Sequence, residues 1–216
     1  MGKHLLSPSD LLNLRDKLKK DPNISKETLS DLWYVNDGHI ELRRKLYYAP
    51  LVQALPKDKY IRILDCACGS GGLLQTFLRA GYQNLTGIDR SKVAVALARD
   101  RCKQAKMSKF FIGDIHYLQE LKGVFDIITF TEILEHIEDD IELLKLAQSI
   151  LSKEGYFICS VPFEQQDIGV NDDHVRSYDK EMLLKRYSII GNVDIFEYTQ
   201  GGAMHAIFTI GRNRNE

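Results

Sequence analysis

The chain has 216 residues, of which 44% are hydrophobic and 27% charged, and its 29 Lys and Arg nearly balance its 30 Asp and Glu. This length suits one domain with a small helical appendage. A formal net charge of −1 carries none of the basic surplus that a long polyanionic partner selects, although it leaves open a local basic patch or the end of a nucleic acid. The four cysteines, Cys66, Cys68, Cys102 and Cys159, form no CxxC pair, so reduced thiols are expected rather than disulfides or a zinc site. No apolar run approaches a membrane span, the N-terminus lacks the apolar core of a signal peptide, and Leu6 replaces the Ser or Thr of a myristoylation signal. A cytoplasmic chain is expected.

The first sixty residues read as helical. Ser7-Pro8 starts a helix carrying Leu11, Leu12, Leu14 and Leu18, which Asp21-Pro22 ends. Ser25 caps a second helix with Leu29, Leu32 and, at its end, Trp33. A third covers 40–55, with Leu42, Leu46 and Val52 as a stripe and Pro50 as a kink. From Tyr60 short apolar runs alternate with amphipathic stretches. Strands are predicted at 61–66, 85–89, 110–113, 125–131 and 156–161. Helices follow the first (through Arg79), the second (Ser91 to about Lys106) and the fourth (about Asp139 to Leu151). Two more strands, 194–199 and 203–211, flank Gln200-Gly201-Gly202 as an antiparallel hairpin. The pattern implies an α/β fold: a Rossmann-like, seven-stranded sheet with helices on both faces, an antiparallel C-terminal hairpin and an N-terminal helical lid. Residues 1–59 are assigned to the lid and 60–216 to the core. Right-handed crossovers place the strand-to-helix loops at one sheet edge, where a site is expected.

Three features fall at that edge. The run Ile63-Leu64-Asp65-Cys66-Ala67-Cys68-Gly69-Ser70-Gly71-Gly72 takes a strand into a glycine turn and a helix, so the backbone approaches a ligand closely. The dinucleotide spacing G-x-G-x-x-G needs glycine at 67, where the chain has Ala67. Asp89 ends the second strand, where a carboxylate can accept from ribose hydroxyls; alone it would suit a helix cap before Ser91. Gly113-Asp114-Ile115 follows the third strand and places an Asp within reach of an adenine amino group; alone it would suit a turn.

These residues resemble the class I S-adenosylmethionine (SAM)-dependent methyltransferase family over roughly 60–212. Asp65, Gly69 and Gly71 match the family's D-x-G-x-G pattern in part, with Ala67 at the position of its first glycine. The resemblance implies SAM as cofactor, bound by Asp65, Ala67, Cys68, Gly69, Gly71, Asp89, Arg90, Asp114, Ile115, Thr131 and Leu134.

The fourth strand runs into Thr131-Glu132-Ile133-Leu134-Glu135-His136. A helical turn there would put Glu132, Glu135 and His136 on one side, and His174, on the loop after the fifth strand, would complete a set of four ligands. Such a set suits Mg²⁺ or Mn²⁺, with Zn²⁺ or Fe²⁺ as alternatives. A bound cation lowers the pKa of a hydroxyl and orients it; a histidine can instead act as general base. Glu135, His136 and His174 are therefore the candidate catalytic residues. The cluster is similar to that of the ubiquinone-biosynthesis O-methyltransferase family and of the 2′-O-methyltransferases acting on 3′ ends of small RNAs. The Asp173-His174-Val175 stretch and Trp33-Tyr34 ahead of Asp37-Gly38 resemble the former group. The competing reading has Glu135 and His136 shaping a pocket and His174 capping a helix near Tyr178. Trp33, Tyr47 and Tyr48 suit either an acceptor pocket or helix packing. Arg43, Arg44 and Lys45, like Arg99, Arg101, Lys103 and Lys106, suit solvated helix faces. The expected function is O-methylation of a small molecule or glycan, with an RNA end, or SAM binding without turnover, as alternatives.

Overall fold

The computed structural model describes residues 48, 51–52, 55–163, 174–200 and 203–211. Expectations for residues 1–47, Trp33 and the arginines among them, lie outside the described residues. The elements are β1 (Arg62–Cys66), α1 (Gly72–Arg79), β2 (Asn84–Asp89), α2 (Lys92–Arg101), β3 (Met107–Ile112), β4 (Phe125–Thr131), α3 (Asp140–Gln148), β5 (Leu151–Pro162), α4 (Lys180–Tyr187), β6 (Asn192–Gln200) and β7 (Ala203–Gly211), with 3₁₀ turns at Ile115–Glu120 and Leu134–His136.

All seven strands form one sheet in the order β3-β2-β1-β4-β5-β7-β6. Pairing is parallel from β3 through β5. β7 runs antiparallel to both β5 and β6, which gives the expected C-terminal hairpin. The chain moves outward from β1 to β3, then returns to lay β4 on the other side of β1. Strand order therefore reverses between β1 and β4, where α/β sheets open a crevice at their carboxyl ends.

Alternate residues of the central strands feed two cores. Ile63, Leu85, Ile127 and Ile158 face Leu73, Leu74 and Phe77 of α1 and Val95 and Ala98 of α2. Leu64, Ile128, Phe157 and Cys159 face Leu143, Leu144 and Ala147 of α3 and Leu183 and Tyr187 of α4. Tyr48, Val52 and Leu55 are buried in the first of these cores. Core packing therefore starts before residue 60, and Tyr48 is a packing residue. All four cysteines are free and buried, and burial raises their thiol pKa values, that of Cys102 to about 12. No helix among the described residues is long and apolar enough to cross a membrane.

Several boundaries differ from expectation: α3 ends at Gln148 rather than about Leu151, and β6 extends over Asn192–Gln200 rather than 194–199. α2 stops at Arg101, short of Lys106, because Met107 N donates to Gln83 O and enters the sheet. β3 starts earlier than expected because it is an edge strand: Ser108 and Lys109 break the apolar run that would mark a buried strand, and Met107 and Ile112 are each 44% exposed. β5 begins at Leu151, where a shift of register against β4 lets the chain join the sheet early.

Caps set the helix starts. Ser91 Oγ accepts from Ala94 N at 3.0 Å, and the Asp179 side chain accepts from Met182 N. α1 has no side-chain cap; Gly71, whose φ is 81°, stands at its N-cap. A Cβ there would lie 2.8 Å from Ala98 Cβ, so glycine permits both the turn and the close approach of α2.

Asp140, in the first turn of α3, is fully buried and lies 3.0 Å from Arg176 Nη1 while also pairing with Arg186. Tyr187 Oη donates to its Oδ2 at 2.6 Å. Removing this one carboxylate leaves two arginine heads poorly compensated. Asp140→Ala is expected to destabilise the protein by about 3–5 kcal/mol, read from urea unfolding, whereas Glu142→Ala, breaking the exposed pair with Lys145, should change it by less than about 1 kcal/mol.

Candidate functional site: a glycine turn beside a carboxylate–histidine cluster

The glycine turn is tied both to itself, Gly71 N donating to Cys68 O at 2.9 Å, and to β2. Cys68 N donates to Ile88 O at 2.9 Å, and Gly69 N donates to Asp89 Oδ2 at 2.8 Å. Asp89 Oδ1 accepts from Ser91 N, also at 2.8 Å. The buried Asp89 carboxylate thus anchors the turn to the start of α2. A carboxylate accepts more than two hydrogen bonds, so this anchoring is compatible with contacts to a ribose.

Ala67, Gly69 and Gly71 all have left-handed φ values, 57°, 52° and 81°. Ala67 adopts the conformation of the glycine it replaces, at a cost on the order of 1 kcal/mol. Asp65, at the end of β1, is 1% exposed and accepts from Thr129 Oγ1 on β4. Burial pushes its carboxyl up to about 7; the Thr129 hydrogen bond lowers it, and the charge of Asp89 raises it further. Two buried carboxyls at the mouth of a glycine turn suit a cationic ligand, and SAM carries both a sulfonium and an ammonium group. Arg90 is exposed just beyond β2, and Cys68 is buried beside the turn. Asp114 is exposed, and its Oδ1 accepts from His116 N, capping the 3₁₀ turn that starts at the half-buried Ile115.

β4 ends at the half-buried Thr131. Glu132 then takes a left-handed φ of 53°, which breaks the helical spacing expected from the sequence. Its N–H donates to Ser160 O, and its Oε1 accepts from Ser160 Oγ at 2.8 Å. Glu132 therefore turns toward β5. The other three candidate ligands do converge: one donor atom from each of Glu135, His136 and His174 lies within 4.8 Å of the others. Glu135 is 2% exposed, and its Oε1 lies 3.9 Å from Nε2 of His136, whose side chain is 35% exposed. The His136 and His174 rings meet edge to face, 4.7 Å between centroids. One carboxylate and two imidazoles form a donor set that suits a divalent transition metal.

Leu134 is fully buried in the core, and its carbonyl accepts from Arg176 Nη1 and Tyr178 Oη. Sequence reasoning missed the layer beneath the cluster: Asp140, Arg176, Arg186, Tyr178 and Tyr187. Asp140 reads locally as a helix-start residue, and nothing in the sequence pairs it with Arg186, 46 residues away. Burial raises the Tyr178 hydroxyl to about 12.

A parallel sheet in this strand order, a glycine turn at its switch point and acidic residues at successive strand ends define a nucleoside-binding α/β domain of the methyltransferase type. A family model described as a methyltransferase domain matches residues 40–207. The chain belongs to this family, that of the class I SAM-dependent methyltransferases. The ubiquinone biosynthesis O-methyltransferase of Acinetobacter baylyi is 29% identical over 160 residues, covering 67% of this chain and 63% of that protein. That of Coxiella burnetii is 32% identical over 151 residues, covering 69% and 63%. The mitochondrial one of Saccharomyces cerevisiae is 33% identical over 105 residues, covering 46% and 33%. The chain thus spans from a third to less than two thirds of the length of these relatives. Among solved structures, the plantazolicin methyltransferase BpumL in complex with SAH, the demethylated form of SAM, superposes with a TM-score of 0.63 at 17% identity, covering 95% of this chain and 98% of that one. The magnesium protoporphyrin IX methyltransferase of Synechocystis PCC 6803 with bound SAH gives 0.61 at 15% identity, covering 94% of both. These structures share the fold.

The raised Asp65 carboxyl makes the stability of the free protein depend on pH. Below pH 3.8, its ordinary value, the group is protonated folded and unfolded and contributes nothing. Between there and about 7 only the unfolded chain ionises, so stability should fall by ~1.4 kcal/mol per pH unit. Above that range the cost is constant. Urea unfolding of Asp65→Asn should lack this slope; an unchanged slope would contradict the burial argument.

Proposed function

We propose that the chain transfers the methyl group of SAM to a hydroxyl oxygen of a small molecule or glycan, with a divalent cation held by Glu135, His136 and His174. The observation that carries this reading is the convergence of those three donors next to the end of β4, on the sheet edge that also carries Asp65, Gly69 and Asp89. The curated relatives are named as O-methyltransferases, which supports oxygen as the accepting atom, and the absence of a basic surplus favours a small acceptor over an RNA end. With Glu132 held by Ser160, the two imidazoles move the metal preference from Mg²⁺ toward Mn²⁺, Fe²⁺ or Zn²⁺.

SAM supplies an electrophilic methyl group, and a cation in such a set lowers the pKa of a hydroxyl. The residues of the chain bind, orient and balance charge. Asp89 accepts from the ribose hydroxyls while holding Gly69. Ala67, Cys68, Gly69 and Gly71 present backbone to the methionine part. Asp65 offsets positive charge. Arg90, Asp114 and Ile115 flank the adenine, and Thr131 lies between cofactor and cluster. His136, the more exposed imidazole, faces the acceptor, and Glu135 holds it in orientation. A near-attack arrangement of this kind supplies much of the acceleration of a methyl transfer.

The test uses labelled SAM and pooled metabolites, glycans and RNA ends. Chelation should abolish transfer and leave SAM binding intact, and Mn²⁺ should restore it. His174→Ala should lower metal affinity and turnover together, with partial rescue by excess metal. Asp89→Ala should weaken SAM by at least about tenfold, since it removes hydrogen bonds to a charged acceptor worth roughly 1.5–3 kcal/mol each. Transfer that survives chelation would sink the metal and make His136 a general base. Transfer to RNA ends alone would overturn the acceptor class.

A further inference from the structure

Arg176 stands two residues beyond His174, and its guanidinium reaches back to the turn that carries the other two donors. Nη1 donates to the carbonyls of Leu134 and Ile137, and Nη2 donates to that of Glu138. These carbonyls bracket Glu135 and His136. The same head lies 3.0 Å from Asp140 Oδ2, and Arg186 binds that carboxylate from the other side through Nε and Nη2. Val175 N donates to Glu135 O at 2.8 Å, a main-chain tie between the same two segments.

A 3₁₀ turn of three residues satisfies few of its own carbonyls: Ile137 N donates to Leu134 O, but the carbonyls of Glu135, Ile137 and Glu138 take donors from the 175–176 segment, so the shape of the turn depends on external donors. The planar, five-donor head of arginine can serve several carbonyls and a carboxylate at once, whereas an ammonium offers one compact charge. His174 is otherwise distant in sequence from Glu135 and His136, and the spacing between them is set by whatever joins the two segments.

We propose that Arg176 is a positioning residue: a clasp that sets His174 against Glu135 and His136, with Asp140 and Arg186 fixing the orientation of its guanidinium. The inference rests on the reading of those three residues as cation ligands and acts through them. Outer groups that orient ligands in this way typically account for 10–100-fold in metal affinity.

The test compares the full chain with Arg176→Lys and Arg176→Met by Co²⁺ titration, following the visible absorption bands, and by calorimetry with SAM. Arg176→Lys keeps a positive charge beside Asp140 and guards against loss of folding in the Met variant. Both variants should bind Co²⁺ about 10–100-fold more weakly, with shifted bands, while SAM affinity stays at the wild-type value. Added Mn²⁺ should restore turnover. If the unaltered protein binds no Co²⁺, the metal reading fails and the clasp with it. If it binds Co²⁺ and the variants bind equally well, or lose Co²⁺ and SAM together, the clasp alone is overturned.

Discussion

The parallel pairing of β1 with both β2 and β4 decides where everything chemical in this molecule sits. In register, Asp65 stands opposite Gly87 on one side and Thr129 on the other. A Cβ at Gly87 would fall 2.8 Å from Cys68 Sγ and from Phe110 Cδ1, so the glycine turn can settle over β2 only because that position carries no side chain. With β1 in place, right-handed crossovers carry β2 and β3 to one side, and the chain must return to lay β4 on the other. The ends of all four strands then share one edge.

Backbone strain marks the same edge. Among the described residues, Ala67 and Glu132 are the two non-glycine residues with positive φ. They follow the carboxyl ends of β1 and β4, the neighbouring strands at the switch point. Each is held from outside: the turn around Ala67 by Asp89 through Gly69, and Glu132 by Ser160. Non-glycine left-handed residues persist where surrounding structure over-determines them, often at ligand sites. Charge is divided along this edge too. The glycine turn faces buried acids, whereas Arg176 binds the Leu134 carbonyl of the neighbouring 3₁₀ turn and the Ile137 and Glu138 carbonyls just beyond it.

Much of the fold was legible because parallel strands buried on both faces are nearly continuous apolar runs, and β4 matched its predicted bounds. Ser91 was readable as a helix start because its capping bond is local. The ends of α2 and β3 were not, since they depend on Gln83 and on an edge position that no local pattern announces. In the candidate site, the placement of Asp65, Gly69, Gly71 and Asp89 at one sheet edge was legible from order and spacing. The grouping of Glu135 and His136 with His174 was also legible, because topology brings both loops to one edge. Glu132 was misplaced because helical spacing was assumed through a residue that the structure puts at φ 53°. The Asp140 network stayed hidden because its members come from α3, from the segment before α4 and from α4 itself, which only the tertiary fold brings together.

The central claim is that Glu135, His136 and His174 together hold one divalent cation at the edge where the glycine turn binds SAM. Anomalous scattering from crystals grown with Mn²⁺ and SAH tests it most directly. A single strong manganese peak bonded to all three side chains is the predicted result. An SAH-bound structure with no peak there, or with manganese only on exposed carboxylates elsewhere, would contradict it.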